Sequence, residues 1–281
     1  MKELSFVKYP WWPAQNTPLA IRTSINRAEA CGAKLFWLSC WEQYLPVIGD
    51  YLDEAVNHFG FKIGIYLEHR DSTPDRRMDF LHEILDLHGN HPALYRINGK
   101  PAVVIYDAGS GSIDDWARLL PTIPAFYIAE MVSTRADFLQ LFDGLANYNV
   151  IHAISDQETD TDFTALEQYY KTRVAACKVA GKFCMVTAVP EFNEVYHKIP
   201  NRPDQRVLAP LNGKLLWRTA WAAIISGAEH LCITSMDEGW ELSDMEERLH
   251  YRRMVRALYG LWLTLNQPVT QSYFIPLPVK P

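Results

Sequence analysis

The sequence lacks several signatures that would place it in other classes of protein. It has no run of about 18 uncharged apolar residues, the length that a membrane-spanning helix needs, and its start, MKELSFVKYPWW, lacks the apolar core of a signal peptide. We therefore expect a soluble protein without a membrane span, cytoplasmic by default unless a leader has been trimmed. With 27 Lys and Arg against 33 Asp and Glu and no dense basic run, nucleic acid is disfavoured as a partner.

Metal, disulfide and phosphate signatures are also missing. The nine histidines form no HxH or HExxH motif, so we predict no metal and no cofactor. His69 and His152 keep a metal-dependent hydrolase open as a less favoured alternative. After the first predicted strand, the chain reads Tyr-Pro-Trp-Trp where a doubly wound sheet would carry a glycine-rich turn. The cysteines show no CxxC spacing and are predicted to be reduced core residues; they are Cys31, Cys40, Cys177, Cys184 and Cys232.

Short apolar runs alternate with longer amphipathic stretches along the whole chain, which is the pattern of βα repeats. Predicted strands are Leu4–Tyr9, Lys34–Ser39, Phe61–Leu67, Ala102–Tyr106, Ala125–Ala129, Gly144–Tyr148, Phe183–Val189 and Leu231–Thr234. Predicted helices are Pro18–Cys31, Val47–Phe59, Pro74–Leu87, Ile113–Leu119, Arg135–Leu141, Asp162–Ala180, Lys214–Ser226 and Ser243–Leu265. Eight such pairs in 281 residues predict one (β/α)8 TIM barrel spanning residues 1–281 as a single domain.

Local signals support these boundaries. A glycine stands between the end of a helix and the start of a strand at four places, which are Gly32, Gly60, Gly181 and Gly227. Thr17 and Thr73 each precede a proline, as a capping residue does at a helix start. We also expect the proline-rich segment 195–211 to form an ordered loop over the cleft.

The residues that follow the predicted strands are rich in rings and acids. In a (β/α)8 barrel the C-terminal ends of the strands carry the chemistry. Carboxylates accept hydrogen bonds from hydroxyl groups while rings cover C–H faces, so this set predicts an oligosaccharide or polysaccharide as the partner. The predicted substrate-binding residues are Tyr9, Trp11, Trp12, Trp41, Glu68, Tyr106, Tyr148, Asn193, Asp237 and Trp240. Glu130 also ends a strand on this face.

Two glutamates three positions apart follow the last strand beside a tryptophan. Glycoside hydrolysis needs one carboxyl group as general acid and a second as base or nucleophile, and Glu238 and Glu241 supply such a pair. An equally weighted alternative is that acids in this segment stabilise the start of the final helix through its dipole. Spacing alone does not choose between the two.

The chain resembles glycoside hydrolase family 99, whose characterised members are endo-α-mannosidases and endo-α-mannanases. The most specific likeness is HPALYRINGKPAVVIYD, residues 91–107. Further likenesses occur in the family's order at YPWW (9–12), the strand ending in Trp41, YLE (66–68), FDGLANY (142–148) and ITSMDEGWE (233–241). In the last segment the spacing of the two glutamates is that of the family, whereas the residues between them differ.

The resemblance implies a retaining glycoside hydrolase of the endo-α-mannosidase type. One glutamate removes the proton of the substrate's own 2-hydroxyl, which closes onto the anomeric carbon as a 1,2-anhydro sugar, and the other protonates the leaving oxygen. By resemblance Glu238 is the base and Glu241 the acid/base. Glu68 and Tyr148 lie near the cleaved bond, and Trp41 backs a sugar ring. A catalytically silent glycan-binding barrel is the alternative from a different class.

Overall fold

A closed barrel of eight parallel strands surrounded by helices forms the body of the protein, as predicted. The structure, a computed structural model, describes residues 2–10, 13–68, 73–148, 150, 163–190, 192–193, 207–208, 213–236 and 249–265. The strands are β1 (Glu3–Lys8), β2 (Leu35–Cys40), β3 (Lys62–Leu67), β4 (Arg96–Ile97), β5 (Lys100–Ile105), β6 (Phe126–Glu130), β7 (Gly144–Ala146), β8 (Phe183–Ala188), β9 (Phe192–Asn193), β10 (Val207–Leu208) and β11 (His230–Ile233). The helices are α1 (Pro18–Cys31), α2 (Leu45–Val56), α3 (Pro74–His88), α4 (Ile113–Leu119), α5 (Ala136–Leu141), α6 (Thr164–Val179), α7 (Lys214–Ile225) and α8 (Leu249–Thr264).

Strand pairing closes the barrel without an open edge. The parallel order runs β1, β2, β3, β5, β6, β7, β8, β11 and returns from β11 to β1. Each of these strands has both neighbours, so every C-terminal end opens onto the same face of the molecule. Two short antiparallel pairings add to the ring: β4 pairs with the ring strand β5, and β9 pairs with β10.

Two apolar layers result from the alternation of side chains along the strands. One lies between the strands and the helices and contains residues such as Phe6, Ile25 and Leu52. The other fills the inside of the barrel, where Trp37 is the largest side chain. Trp37 fits because the neighbouring strand carries Gly64, at which a Cβ atom would lie 2.5 Å from the indole. The barrel interior is therefore packed below its C-terminal end.

The predicted boundaries agree closely with the structure. Gly32, Gly60, Gly181 and Gly227 all have positive φ angles, as glycines that end helices require. The hydroxyls of Thr17 and Thr73 accept hydrogen bonds from the first turns of α1 and α3. The five cysteines are free and buried, as predicted. No helix among the described residues is long and apolar enough to span a membrane.

One feature of the fold differs from the prediction, and one predicted loop lies mostly outside the described residues. The sequence predicts no strand between Leu87 and Ala102, whereas Arg96–Ile97 and Lys100–Ile105 form a hairpin around Asn98 and Gly99. Both turn residues have positive φ angles, 52° and 78°, which is the geometry that Asn-Gly favours in two-residue hairpins. The loop predicted over 195–211 lies outside the described residues except for Val207–Leu208, which pairs with Phe192–Asn193.

Candidate active site

Side chains from six strand ends meet at the C-terminal face of the barrel. Tyr9, Trp41, Glu68 and Tyr106 each stand one residue after a strand, and Glu130 is the last residue of β6. Tyr148 follows β7 by two residues. Because the ring of strands is closed, these positions converge although they come from distant parts of the sequence.

Four tyrosines, named here the tyrosine cluster, form the floor of this region: Tyr9, Tyr66, Tyr106 and Tyr148. The rings of Tyr106 and Tyr148 meet edge to face with centroids 6.0 Å apart. The ring of Tyr66 lies 6.2 Å from each of them, and Tyr9 lies 6.4 Å from Tyr148. These separations are those of favourable aromatic pairs. The cluster thus joins the ends of four strands into one aromatic surface.

Glu68 lies at the side of this surface within a small polar group. Its side chain is hydrogen bonded with Tyr9, Ser39 and Trp41. The indole N–H of Trp41 also donates to Oγ of Ser39 at 3.1 Å. Only 6% of Glu68 is exposed, and its Oε1 has no hydrogen-bond partner among the described residues. An unpaired buried carboxyl oxygen is costly, and at a strand end it is a candidate contact for a ligand.

Burial raises the pKa of the Glu68 carboxyl group to about 8. The hydrogen bonds from Ser39, Tyr9 and Trp41 oppose this rise, and the nearby Glu130 carboxyl adds to it. With a pKa of about 8 the group is mainly protonated at neutral pH. Glu68 can then donate a hydrogen bond as well as accept one, which an ionised carboxylate cannot do.

Glu130 is a second buried carboxyl group in this region, with 5% of the residue exposed. Oε1 accepts a 2.8 Å hydrogen bond from the N–H of Tyr148, and Oε2 accepts a 2.9 Å bond from the N–H of Asp107. Burial raises the pKa of this carboxyl group, while the two backbone donors and the Arg173 guanidinium oppose the rise. Both oxygens of Glu130 therefore accept hydrogen bonds from the backbone, whereas Oε1 of Glu68 has no hydrogen-bond partner among the described residues.

The predicted site residues fall into two groups. Tyr9, Trp41, Glu68, Tyr106 and Tyr148 lie together as described above. Asn193 is described only as part of β9, paired with Val207. Six others lie outside the described residues: Trp11, Trp12, Asp237, Glu238, Trp240 and Glu241.

Two residues of the site received no role from the sequence. Tyr66 precedes Glu68 by two positions and therefore shares its face of β3, a relation that strand alternation makes predictable. Its hydroxyl is buried without a hydrogen-bond partner among the described residues. Glu130 was placed at a strand end, but only the folded structure shows that it joins two loops.

No group of three His, Cys, Asp or Glu side chains within the described ranges is arranged to hold a metal ion; His69 and His152 lie outside them.

A closed (β/α)8 barrel with carboxyl groups and rings gathered at its C-terminal end is an architecture that many glycoside hydrolases share with enzymes of other classes. Residues 15–259 match glycosyl hydrolase family 99, and the chain belongs to this family. Membership supports a glycan as the substrate and agrees with the resemblance drawn from the sequence.

Solved structures agree with this fold. An endo-alpha-mannosidase of the same family from Bacteroides thetaiotaomicron, in complex with bis-tris propane, superposes with a TM-score of 0.77 at 19% identity, covering 93% of this chain and 97% of that one. A second structure of an endo-alpha-mannosidase of this family from that organism gives 0.74 at 21% identity, covering 90% and 82%. An endo-beta-1,4-mannanase from Thermotoga petrophila gives 0.59 at 10% identity, covering 96% and 78%. At these identities the likenesses establish the shared barrel.

Proposed function

We propose that this protein is a retaining glycoside hydrolase that cleaves α-mannosidic or related α-glycosidic linkages within an oligosaccharide or polysaccharide, with residues 1–281 forming one catalytic domain. The observation that carries the proposal is the pairing of Glu68 with the tyrosine cluster. A buried carboxyl group with an unpartnered oxygen stands beside an aromatic surface at the catalytic end of a family 99 barrel. Such a surface fits a sugar, which has hydroxyl groups around its edge and C–H groups on its faces.

The proposed chemistry uses Glu238 and Glu241, carried over from the family by position. Glu238 takes the proton of the 2-hydroxyl, and this oxygen forms a bond to the anomeric carbon as the glycosidic bond breaks. Glu241 gives its proton to the departing oxygen, which leaves a 1,2-anhydro sugar. In the second step Glu241 takes a proton from water, the water oxygen attacks the anomeric carbon as the bond between that carbon and O2 breaks, and O2 recovers its proton from Glu238. Two displacements at one carbon retain its configuration.

The described residues have roles in holding the sugar. Trp41 stands directly after β2 with its indole N–H bound to Ser39, which fixes the ring plane as a backing surface. The protonated Glu68 carboxyl group offers its unpartnered oxygen to a sugar hydroxyl. Tyr9, Tyr106 and Tyr148 supply ring edges and hydroxyl groups from the floor. Trp11, Trp12, Asn193, Asp237 and Trp240 complete the proposed subsites.

The test is a panel of α-linked manno-oligosaccharides and related α-glycans, with products identified by chromatography and mass spectrometry. The proposal expects cleavage of at least one α-mannoside, and proton NMR recorded during the first turnovers should show the product as the α-anomer. Inversion would contradict the mechanism. Binding of a panel member without any cleavage would favour the silent glycan-binding barrel. Activity abolished by a chelator and restored by a divalent cation would favour the metal-dependent alternative.

A further inference from the structure

The Glu130 carboxylate binds the N–H groups of two peptide groups, one next to Tyr106 and one next to Tyr148, and both tyrosines belong to the tyrosine cluster. Its Oε2 accepts from the N–H of Asp107 at 2.9 Å, in the peptide group that follows Tyr106. Its Oε1 accepts from the N–H of Tyr148 at 2.8 Å, in the peptide group that follows Asn147. One side chain therefore links the loops after β5 and β7.

Each of these peptide groups is also held from its carbonyl end. Arg77, a buried residue of α3, donates to the carbonyl oxygen of Tyr106 at 2.6 Å. The hydroxyl of Thr187, buried in β8, donates to the carbonyl oxygen of Asn147. Both peptide groups are thus fixed at the N–H and at the C=O, and Glu130 is the group common to the two.

The backbone after Tyr106 needs such support. Asp107 has a φ angle of 47° and a ψ angle of 44°, the left-handed conformation that residues other than glycine rarely adopt. The N–H of Asp107 lies in the peptide plane that joins it to Tyr106, so its hydrogen bond to Glu130 restrains the ψ angle of Tyr106 and the φ angle of Asp107. The rings of Tyr106 and Tyr148 lie edge to face, 6.0 Å apart.

Only an acceptor with two oxygens fits this position. A glutamine in place of Glu130 would offer one acceptor oxygen, and its NH₂ group would face one of the two backbone N–H donors. The lost hydrogen bond would be one to the loop after β5 or to the loop after β7, because both Glu130 oxygens are bound in these two loops. Glu54 offers a comparison outside the barrel: only 6% of the residue is exposed, and both its oxygens accept hydrogen bonds from Arg22 of α1, with His58 also 3.5 Å from Oε1.

We propose that Glu130 is a positioning residue, which sets the rings of Tyr106 and Tyr148 for glycan binding by holding both peptide groups at once. The glycan in this proposal rests on the proposed function. The link that Glu130 makes between the two peptide groups, named here the clamp, rests on the hydrogen bonds alone. Glu130 does not touch the substrate in this proposal.

The experiment compares Glu130→Gln, Thr187→Val and Glu54→Gln with the wild-type protein. Amide hydrogen exchange at Asp107 and Tyr148 is measured by NMR, and the Kd for an α-linked manno-oligosaccharide by calorimetry. We expect Glu130→Gln to speed exchange at least 10-fold at Asp107 or Tyr148, whichever amide faces the new NH₂ group, and to weaken binding about 10-fold. Thr187→Val should affect Tyr148 more than Asp107. Glu54→Gln should lower the Tm without changing either readout.

Four results would be decisive. Unchanged exchange at Asp107 and Tyr148 in Glu130→Gln would overturn the clamp. Equal weakening of binding in Glu130→Gln and Glu54→Gln would reduce Glu130 to a general contribution to stability. If Glu130→Gln does not fold, exchange in the wild-type protein decides: amides of Asp107 and Tyr148 that exchange as fast as unprotected amides overturn the proposal. A wild-type protein that binds no α-glycan contradicts the proposed function, while the exchange data still decide whether the clamp exists.

Discussion

The ring of Tyr9, directly after the first strand, meets the ring of Tyr148 edge to face, with centroids 6.4 Å apart. The two residues come from strands that are not neighbours in the barrel, since β1 pairs with β2 and β11 whereas β7 pairs with β6 and β8. Their contact shows that side chains at the C-terminal end reach across the barrel. A glycan bound at this end would therefore contact residues from several strands at once, and substitutions at each of these strand ends should change its Kd.

Trp41 should contribute to glycan binding through its ring. We expect Trp41→Ala to raise the Kd for an α-linked manno-oligosaccharide about 10-fold, or about 1.4 kcal/mol, and Trp41→Phe to raise it less because a ring remains. The control is Trp262→Phe, since Trp262 is buried in α8 beside Lys2. It should lower the Tm and leave the Kd unchanged. Calorimetry on the three variants gives the comparison, and an unchanged Kd in Trp41→Ala would remove Trp41 from the subsites.

The buried Glu68 should make stability fall as the pH rises. Its pKa is raised from 4.5 to about 8, so between these values the folded protein holds a proton that the unfolded chain has lost. Raising the pH across that window therefore favours unfolding, with about 1.4 kcal/mol for each pKa unit. We expect Glu68→Gln to remove this pH dependence. The unfolding free energy of Glu68→Gln should therefore rise relative to that of the wild-type protein between pH 5 and pH 8.5.

Denaturant titrations across that pH range measure the effect. Glu83→Gln, at an exposed position of α3, is the matched control and should follow the wild-type curve. Parallel curves for Glu68→Gln and the wild-type protein would mean that Glu68 is ionised in the folded state at neutral pH.

The packing of Trp37 inside the barrel should make Gly64 intolerant of a side chain. A Cβ atom there would lie 2.5 Å from the indole, so we expect Gly64→Ala to cost about 1–3 kcal/mol of unfolding free energy. The same substitution at Gly260, an exposed position of α8 with open space around it, should stabilise by up to about 1 kcal/mol. Thermal unfolding of both variants tests this, and equal shifts would contradict the packing account.

The sequence was sufficient to predict the barrel because each βα repeat carries its own local signals. Periodicity marks the strands, glycines with positive φ angles end the helices, and Thr17 and Thr73 begin them. The hairpin at Asn98 and Gly99 was missed although Asn-Gly is a strong turn signal, because its first strand has only two residues and no alternation to detect.

The site was only partly predictable for a different reason. Residues directly after a strand, such as Tyr9 and Glu68, can be read from the end of each apolar run. The role of Glu130 depends on two backbone N–H groups, from Asp107 and Tyr148, that reach it only in the closed barrel. No local pattern in the sequence contains that relation, since backbone donors carry no residue-specific signal.

The most direct test of the central claim is the rate of α-mannoside cleavage by Glu238→Gln and Glu241→Gln. Each substitution keeps the side-chain shape and removes the proton chemistry, so we expect kcat/KM to fall at least ~100-fold, with the Tm nearly unchanged. Glu83→Gln, the control, should retain wild-type activity. Near wild-type turnover by both Glu238→Gln and Glu241→Gln, on a substrate that the parent protein cleaves, would contradict the account.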